Sequence, residues 1–176
     1  METDRFDSFV EDLLGEKIAR PLIIVAASKI EDLLYLILAK YFLNPRKAGD
    51  DDLLNGDNPL STFSARIKIC YRLGIMNKDL FDILDKVRKV RNLCAHSIEF
   101  NVQKSPVREH LLELRKCVQQ RSSFILAKER YFNNKFDSSF RELQCALIAI
   151  CVVLVAINEK ISKTEGIVDT LRISRK

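Results

Sequence analysis

The sequence predicts an all-α protein, folded as a single-domain bundle of about five to seven helices. Only five Gly and four Pro occur in 176 residues, while Leu, Ile, Lys, Glu and Arg dominate, which favours helices over a turn-rich β architecture. Hydrophobic residues make up 47% of the chain and charged residues 30%, as in a soluble domain of ordinary size. Apolar residues also recur at helical spacing along most of the chain.

The predicted helices are bounded by capping residues and helix breakers. The first ends near Gly15, and the others run from about Pro21 to Leu43, Ser61 to Gly74, Asn77 to about His96, Val107 to Val118, and Ser138 or Ser139 to about Ile161. Residues 44–58 and 98–106 carry turn formers and are predicted to be loops. We expect Leu53 and Leu54 to hold the first loop against the core. Residues 119–137 show no clear period and predict no definite structure.

One helical domain is expected to cover residues 1–162, with a basic, partly mobile tail at 163–176. Acidic residues are spread through positions 1–15, unlike a secretory signal, so a cytoplasmic location is predicted. The apolar run from Leu143 to Ile157 is shorter than the roughly 20 residues that cross a bilayer, and charged residues flank it. It predicts a central core helix instead of a membrane segment, and part of it could form a homodimer interface.

The sequence predicts no metal site and no cofactor. Its five cysteines are odd in number and lie in apolar helical patterns without CxxC spacing, which favours reduced, buried thiols. The run Asp50-Asp51-Asp52 is typical of a solvated turn, because no further liganding pattern follows it. His110 has no second histidine one helical turn away, so it is assigned a surface or packing role.

Basic residues suggest nucleic-acid binding, but their arrangement does not require it. The net charge is +5, and Arg88 and Lys89 in the basic segment 86–91 are candidate nucleic-acid contacts, together with Arg66. Acidic residues are interleaved, and no zinc finger, basic heptad region or helix-turn-helix is evident. Arg66 is either an exposed arginine whose stem covers apolar surface or a side chain that reaches the edge of the core.

Two segments carry a family resemblance. Residues 52–75 read DLLNGDNPLSTFSARIKICYRLGI, and RNLCAH at 91–96 ends the next predicted helix. This pattern resembles the mannitol operon repressor family of bacteria, whose segment has a Leu-Leu-x-Gly loop, a Pro-Leu helix start, a Ser-x-Arg-hydrophobic-Lys core and a Tyr-x-Leu-Gly end. The corresponding residues here are Leu53 to Gly56, Pro59-Leu60, Ser64 to Lys68 and Tyr71 to Gly74. The resemblance implies a helical, homodimeric or larger regulator of transcription that acts through protein partners.

A second resemblance concerns Arg91, four intervening residues and His96, which are similar to the Arg-x4-6-His motif of HEPN-superfamily ribonucleases. It implies metal-independent cleavage of RNA as an alternative function. His96 would act as general base on the ribose 2′-OH, Arg91 would bind the phosphate, and Asn92 would orient either group. Arg88 would extend the positive rim.

Helix geometry restricts the ribonuclease alternative. Five residues along an ideal helix place Arg91 and His96 about 140° apart around the axis and about 7.5 Å apart along it. The helix must therefore end just before His96, or two copies of the chain must share a site. Two structural interpretations stand beside this one: Arg91 and His96 cap the carbonyl groups at the end of the helix, or Arg91 pairs with Glu31 or Asp32.

Overall fold

The protein is seen in a computed structural model that describes residues 2–45 and 53–163. Within these ranges the chain forms seven helices and no strand, which confirms the predicted all-α, single-domain bundle. The helices are α1 (Glu2–Gly15), α2 (Ala19–Tyr41), α3 (Phe63–Arg72), α4 (Lys78–His96), α5 (Val107–Val118), α6 (Ser122–Phe132) and α7 (Ser139–Lys160). The run Asp50-Asp51-Asp52 and the predicted tail beyond Lys163 lie outside the described residues.

Side-chain N-caps are present at the start of three of the seven helices, α3, α4 and α7. The side-chain oxygen of Asn77 accepts the Leu80 N–H at 3.0 Å, and the hydroxyl of Ser138 accepts the Arg141 N–H at 3.3 Å. The prediction of Ser61 as the cap of α3 is wrong. Thr62 has the extended backbone of an N-cap, and its hydroxyl accepts the Ala65 N–H at 3.2 Å.

Helix α7 is the central element of the core, as its apolar sequence predicts. It packs against α1, α2, α5 and α6, and its residues 144–151 are all buried. It is the one helix among the described residues that is long and apolar enough to span a membrane, and half of its most apolar window is buried in the protein. Residues 152, 153 and 155–157 of the same helix are only half-buried.

Helix α6 occupies the segment for which the sequence predicted no definite structure. Its buried side chains are few, and they include Phe124 and Phe132. Both rings pack against Phe136, with centroids 6.0 and 5.3 Å apart respectively. Asn133 ends the helix in the left-handed conformation, with φ of 50°.

Two expectations about burial are corrected. Leu54 is buried, but Leu53 is 42% exposed, so of this pair only Leu54 holds the loop against the core. Four of the cysteines are buried, whereas Cys117 is exposed. Cys117 lies on α5 next to Lys116, on the solvent side of a helix whose buried face carries Leu114 and Val118.

Candidate functional site

The candidate site lies at the end of α4, which continues without interruption through His96. Ser97 follows as the C-cap, and its N–H donates to the carbonyl of Leu93 at 3.1 Å. The possibility that the helix ends just before His96 is therefore wrong. On a continuous helix, Arg91 and His96 point in directions about 140° apart. The two side chains of one chain therefore do not face the same ligand.

Arg91 has a local partner and not the predicted carboxylate. Its Nη1 donates to the side-chain oxygen of Asn92 at 3.3 Å. Within the described residues Arg91 forms no ion pair, and the Glu31 carboxylate lies instead beside Arg66, 3.8 Å from Nη1. The predicted pairing of Arg91 with Glu31 or Asp32 is wrong, because Glu31 lies beside Arg66 and the exposed Asp32 forms no ion pair within the described residues.

Arg20 holds the chain where it leaves α4. Its Nη2 donates to the carbonyls of Ser97 at 2.5 Å and Ile98 at 3.3 Å. The guanidinium also lies 5.4 Å from the centre of the Phe100 ring, a favourable cation–π distance. Arg20 thus has the capping role that the sequence suggested for Arg91 and His96. No local signal could reveal it, since Arg20 and Ser97 are 77 residues apart.

An open groove between α4 and α5 brings together some of the predicted site residues. It has a volume of about 580 Å³ and is lined by Lys89, Asn92, Leu93, His96, Ser97, Pro106 and His110. Both histidines of the chain line this groove. His110 is therefore part of the candidate site, although the sequence had assigned it a surface or packing role. Arg91 is not part of the lining.

The predicted nucleic-acid contacts on α4 are paired with acidic side chains. Arg88 Nη2 lies 2.6 Å from one oxygen of Asp85, and Lys89 Nζ lies 3.0 Å from the other. Partial burial raises the pKa of Asp85, but the hydrogen bonds and charges of Arg88 and Lys89 outweigh it and lower the pKa below its ordinary value. Much of the positive charge of the two bases is therefore balanced within the helix.

Arg66 lies at the edge of the core. The expectation of an exposed arginine is therefore wrong, and the alternative of a side chain that reaches the core edge is confirmed. It is 8% exposed. Its guanidinium donates to the carbonyls of Leu54 at 2.8 Å, Leu60 at 3.1 Å and Glu31 at 3.4 Å. These bonds use its Nε and both Nη atoms inside the fold, so the side chain supports the loop before α3 instead of facing solvent.

Two solved structures are similar to this one. The first is that of the MtlR-HPr complex from Escherichia coli, at 18% sequence identity and a TM-score of 0.62, covering 87% of this chain and 97% of that chain. The second is a possible transcriptional regulator, YggD from Shigella flexneri, at 15% identity and a TM-score of 0.63, covering 86% of this chain and 98% of that chain. The chain shares their fold. No protein-family model and no curated protein sequence matches it.

Proposed function

We propose that this chain is a cytoplasmic transcriptional regulator of the mannitol operon repressor type, which acts by binding another protein instead of reading DNA directly. The observation that carries the proposal is the fold shared with MtlR, a protein solved in complex with HPr, over 87% of this chain. The sequence motifs of residues 52–75 support it independently. In the structure they are in contact, because Arg66 from one motif binds the carbonyls of Leu54 and Leu60 from two others.

The charge arrangement on α4 favours a protein partner over DNA. Binding to the phosphate backbone depends on lysines and arginines that are free to displace counterions. Arg88 and Lys89 share Asp85, and Lys86 Nζ lies 2.6 Å from the Glu113 carboxylate on α5. A phosphate would have to compete with these carboxylates for each of the three bases.

The partner surface is proposed to lie at the end of the bundle where α2 begins and α4 ends. Ile98 is 97% exposed there, and Ile18, the residue before α2, is 63% exposed. Arg20 connects the two segments through its bond to the Ile98 carbonyl, and the groove with His96 is adjacent. Exposed apolar side chains rimmed by polar and cationic groups are typical of protein contacts.

Binding of purified HPr from the same organism tests this proposal. We expect Ile98→Asp to weaken HPr binding, measured by titration calorimetry, by about tenfold or more, as the loss of an apolar contact at an interface centre does. Leu43→Asp, at an exposed apolar residue after the other end of α2, is the matched control and should bind as the wild type does. The proposal fails if HPr does not bind and deletion of the gene leaves transcript levels unchanged.

A homo-oligomer is the second part of the proposal. Leu126 on α6 is 60% exposed, and it borders a groove of about 560 Å³ between α1, α6 and α7. Phe6 and the half-buried Val152 and Val155 also line this groove. An apolar face of this kind is suited to a second copy of the chain.

The alternative function is metal-independent cleavage of RNA. It is supported by one groove that is lined by His96, Asn92 and His110. Such a site would need Arg91 from a second copy of the chain, since Arg91 is outside the groove of its own chain. Purified protein should then cut labelled RNA, and His96→Ala and Arg91→Ala should each abolish cleavage without changing the circular dichroism spectrum. If the wild-type protein leaves RNA intact at every pH and salt concentration tried, the alternative is wrong.

A further inference from the structure

A second cavity, on the other side of α5, has apolar walls and an arginine-rich mouth. It lies between α5, α7, the start of α2 and residues 102–103, with a volume of about 200 Å³. Val102, Leu111, Phe140, Leu143 and Ala146 are among the residues that form its walls. An enclosed apolar cavity of about 150 Å³ is known to take up benzene. This cavity therefore has room for one ring or a branched aliphatic group with a small substituent.

The charges at the mouth of the cavity amount to one uncompensated cation. Arg115 and Glu142 both line the cavity, and Arg115 Nε lies 2.5 Å from the Glu142 carboxylate. Arg108 lines it as well and is exposed. Within the part of the chain that the structure describes, the Arg108 guanidinium has no ion pair and no hydrogen bond. Guanidinium groups bind carboxylates through two parallel N–H donors.

We propose that this cavity binds a small monocarboxylate with an apolar body of about six to eight carbon atoms, whose carboxylate pairs with Arg108. The apolar walls receive the ring or branched chain. A sugar suits the cavity poorly, because the walls are mainly apolar and most of its hydroxyl groups would lose their hydrogen bonds to water without finding partners. A second negative charge on the ligand is disfavoured by Glu142. The proposal concerns this cavity alone and does not depend on the protein partner.

Nuclear magnetic resonance of the full chain with labelled methyl groups tests the proposal directly. The probes are benzoate, phenylacetate and heptanoate, with benzyl alcohol as the uncharged analogue and glucose 6-phosphate as the polar one. We expect the acids to shift the methyl signals of Leu111, Leu143 and Ala146 with a Kd on the order of 1 mM, as ligands of this size do. Benzyl alcohol should bind about tenfold more weakly, because it lacks the charge-assisted pair, and glucose 6-phosphate should not shift these signals.

Two variants test which side chains bind the ligand. Arg108→Gln should weaken binding of benzoate about tenfold, whereas Lys104→Gln, which removes a nearby exposed cation outside the cavity, should leave it unchanged. Val102→Phe should fill the cavity and abolish binding. If Val102→Phe does not fold, Arg108→Gln provides the test, since the Arg108 side chain is exposed and forms no ion pair or hydrogen bond within the described residues. The proposal is overturned if no acid shifts the methyl signals of these three residues at about 10 mM, tenfold above the expected Kd, or if Arg108→Gln binds benzoate as the wild type does.

Discussion

The guanidinium of Arg66 donates a hydrogen bond to the carbonyl of Leu54 at 2.8 Å. Two further bonds, to the carbonyls of Leu60 and Glu31, connect the same side chain to the end of the turn before α3 and to α2. The Arg66 guanidinium also lies over the ring of Tyr35, with its central carbon 5.3 Å from the ring centroid. One buried arginine thus joins the preceding turn, α3 and α2, and we expect the position of the turn to depend on it.

Replacing Arg66 with methionine tests that dependence. The variant keeps an apolar stem of similar reach but removes three hydrogen bonds, to one buried and two partly buried carbonyls, and bonds of this kind contribute on the order of 1 kcal/mol each. We expect the free energy of unfolding in urea to fall by about 2–4 kcal/mol. Lys68→Met, on the exposed face of the same helix, should change it by less than about 0.5 kcal/mol. Equal stability of the two variants would show that Arg66 is dispensable.

Gln144 is the second buried polar group that joins distant helices. Its side-chain nitrogen donates to the carbonyl of Leu13 at 2.6 Å and to that of Glu16 at 3.1 Å. Gln144 thus supplies a hydrogen-bond donor to carbonyl groups at the end of α1. Gln144→Leu should lower the free energy of unfolding by about 2–3 kcal/mol and speed amide hydrogen exchange throughout α1. The exposed Gln119→Leu is the matched control. Unchanged exchange in α1 would contradict this role.

The cysteines should separate into one reactive and four protected thiols. Burial raises the pKa of Cys70, Cys94, Cys145 and Cys151 to about 12, whereas Cys117 is exposed. Because the thiolate is the reacting species, a chromogenic disulfide reagent should titrate one thiol per native chain rapidly. The others should react only after unfolding, and Cys117→Ser should remove the rapid phase. A second rapid thiol in that variant would contradict the assigned burial.

The ion pairs of Asp85 should make stability depend on acid pH. The pKa of Asp85 is lowered in the folded protein, so its contribution is present above the ordinary value of 3.8 and is lost as the pH falls through the lower folded value. The three side chains are 24–50% exposed, so solvent screening limits the effect to less than about 1 kcal/mol. Asp85→Asn should lower the free energy of unfolding at pH 7, and this free energy should then fall less steeply towards acid pH than in the wild type. Asp32→Asn, at an exposed aspartate, should have neither effect. A parallel decline in wild type and Asp85→Asn would count against these pairs.

Substitution of Leu126 tests the proposed homo-oligomer. Light scattering after gel filtration should give a multiple of the 20.3 kDa chain mass for the wild type. Leu126→Glu should give a single chain with an unchanged helical spectrum, because a buried charge without a partner disfavours association. Leu36→Glu, at an exposed apolar residue on α2, should assemble as the wild type does. A wild-type monomer at about 100 µM, a concentration at which micromolar complexes persist, would rule out the interface.

Helix boundaries could be predicted where one residue decides them. Asn77 and Ser138 cap their helices as expected, and Gly74 follows the end of α3 with φ of 71°, a conformation that glycine adopts at little cost. The choice between Ser61 and Thr62 could not be made in this way, because both residues carry a hydroxyl group. Only the backbone conformation selects Thr62.

The candidate site could be predicted only in part, because its remaining residues meet through tertiary packing. His96 and Asn92 were identified from a local motif, but His110 reaches their groove only because α5 packs against α4. Arg20 comes from α2, far away in the sequence. For Arg66 the helical spacing allowed two orientations, and carbonyls 6, 12 and 35 residues away determine which one occurs.

The bond between Gln144 and Leu13 spans 131 residues, and this separation has a consequence for synthesis on the ribosome. At the usual rates of translation, about 7 to 26 seconds pass between the appearance of the two residues. During that interval α1 and α2 exist without the helix that covers their apolar faces. We therefore expect the nascent chain to depend on chaperones until α7 emerges, and this dependence should be greatest for ribosomes stalled just before residue 139.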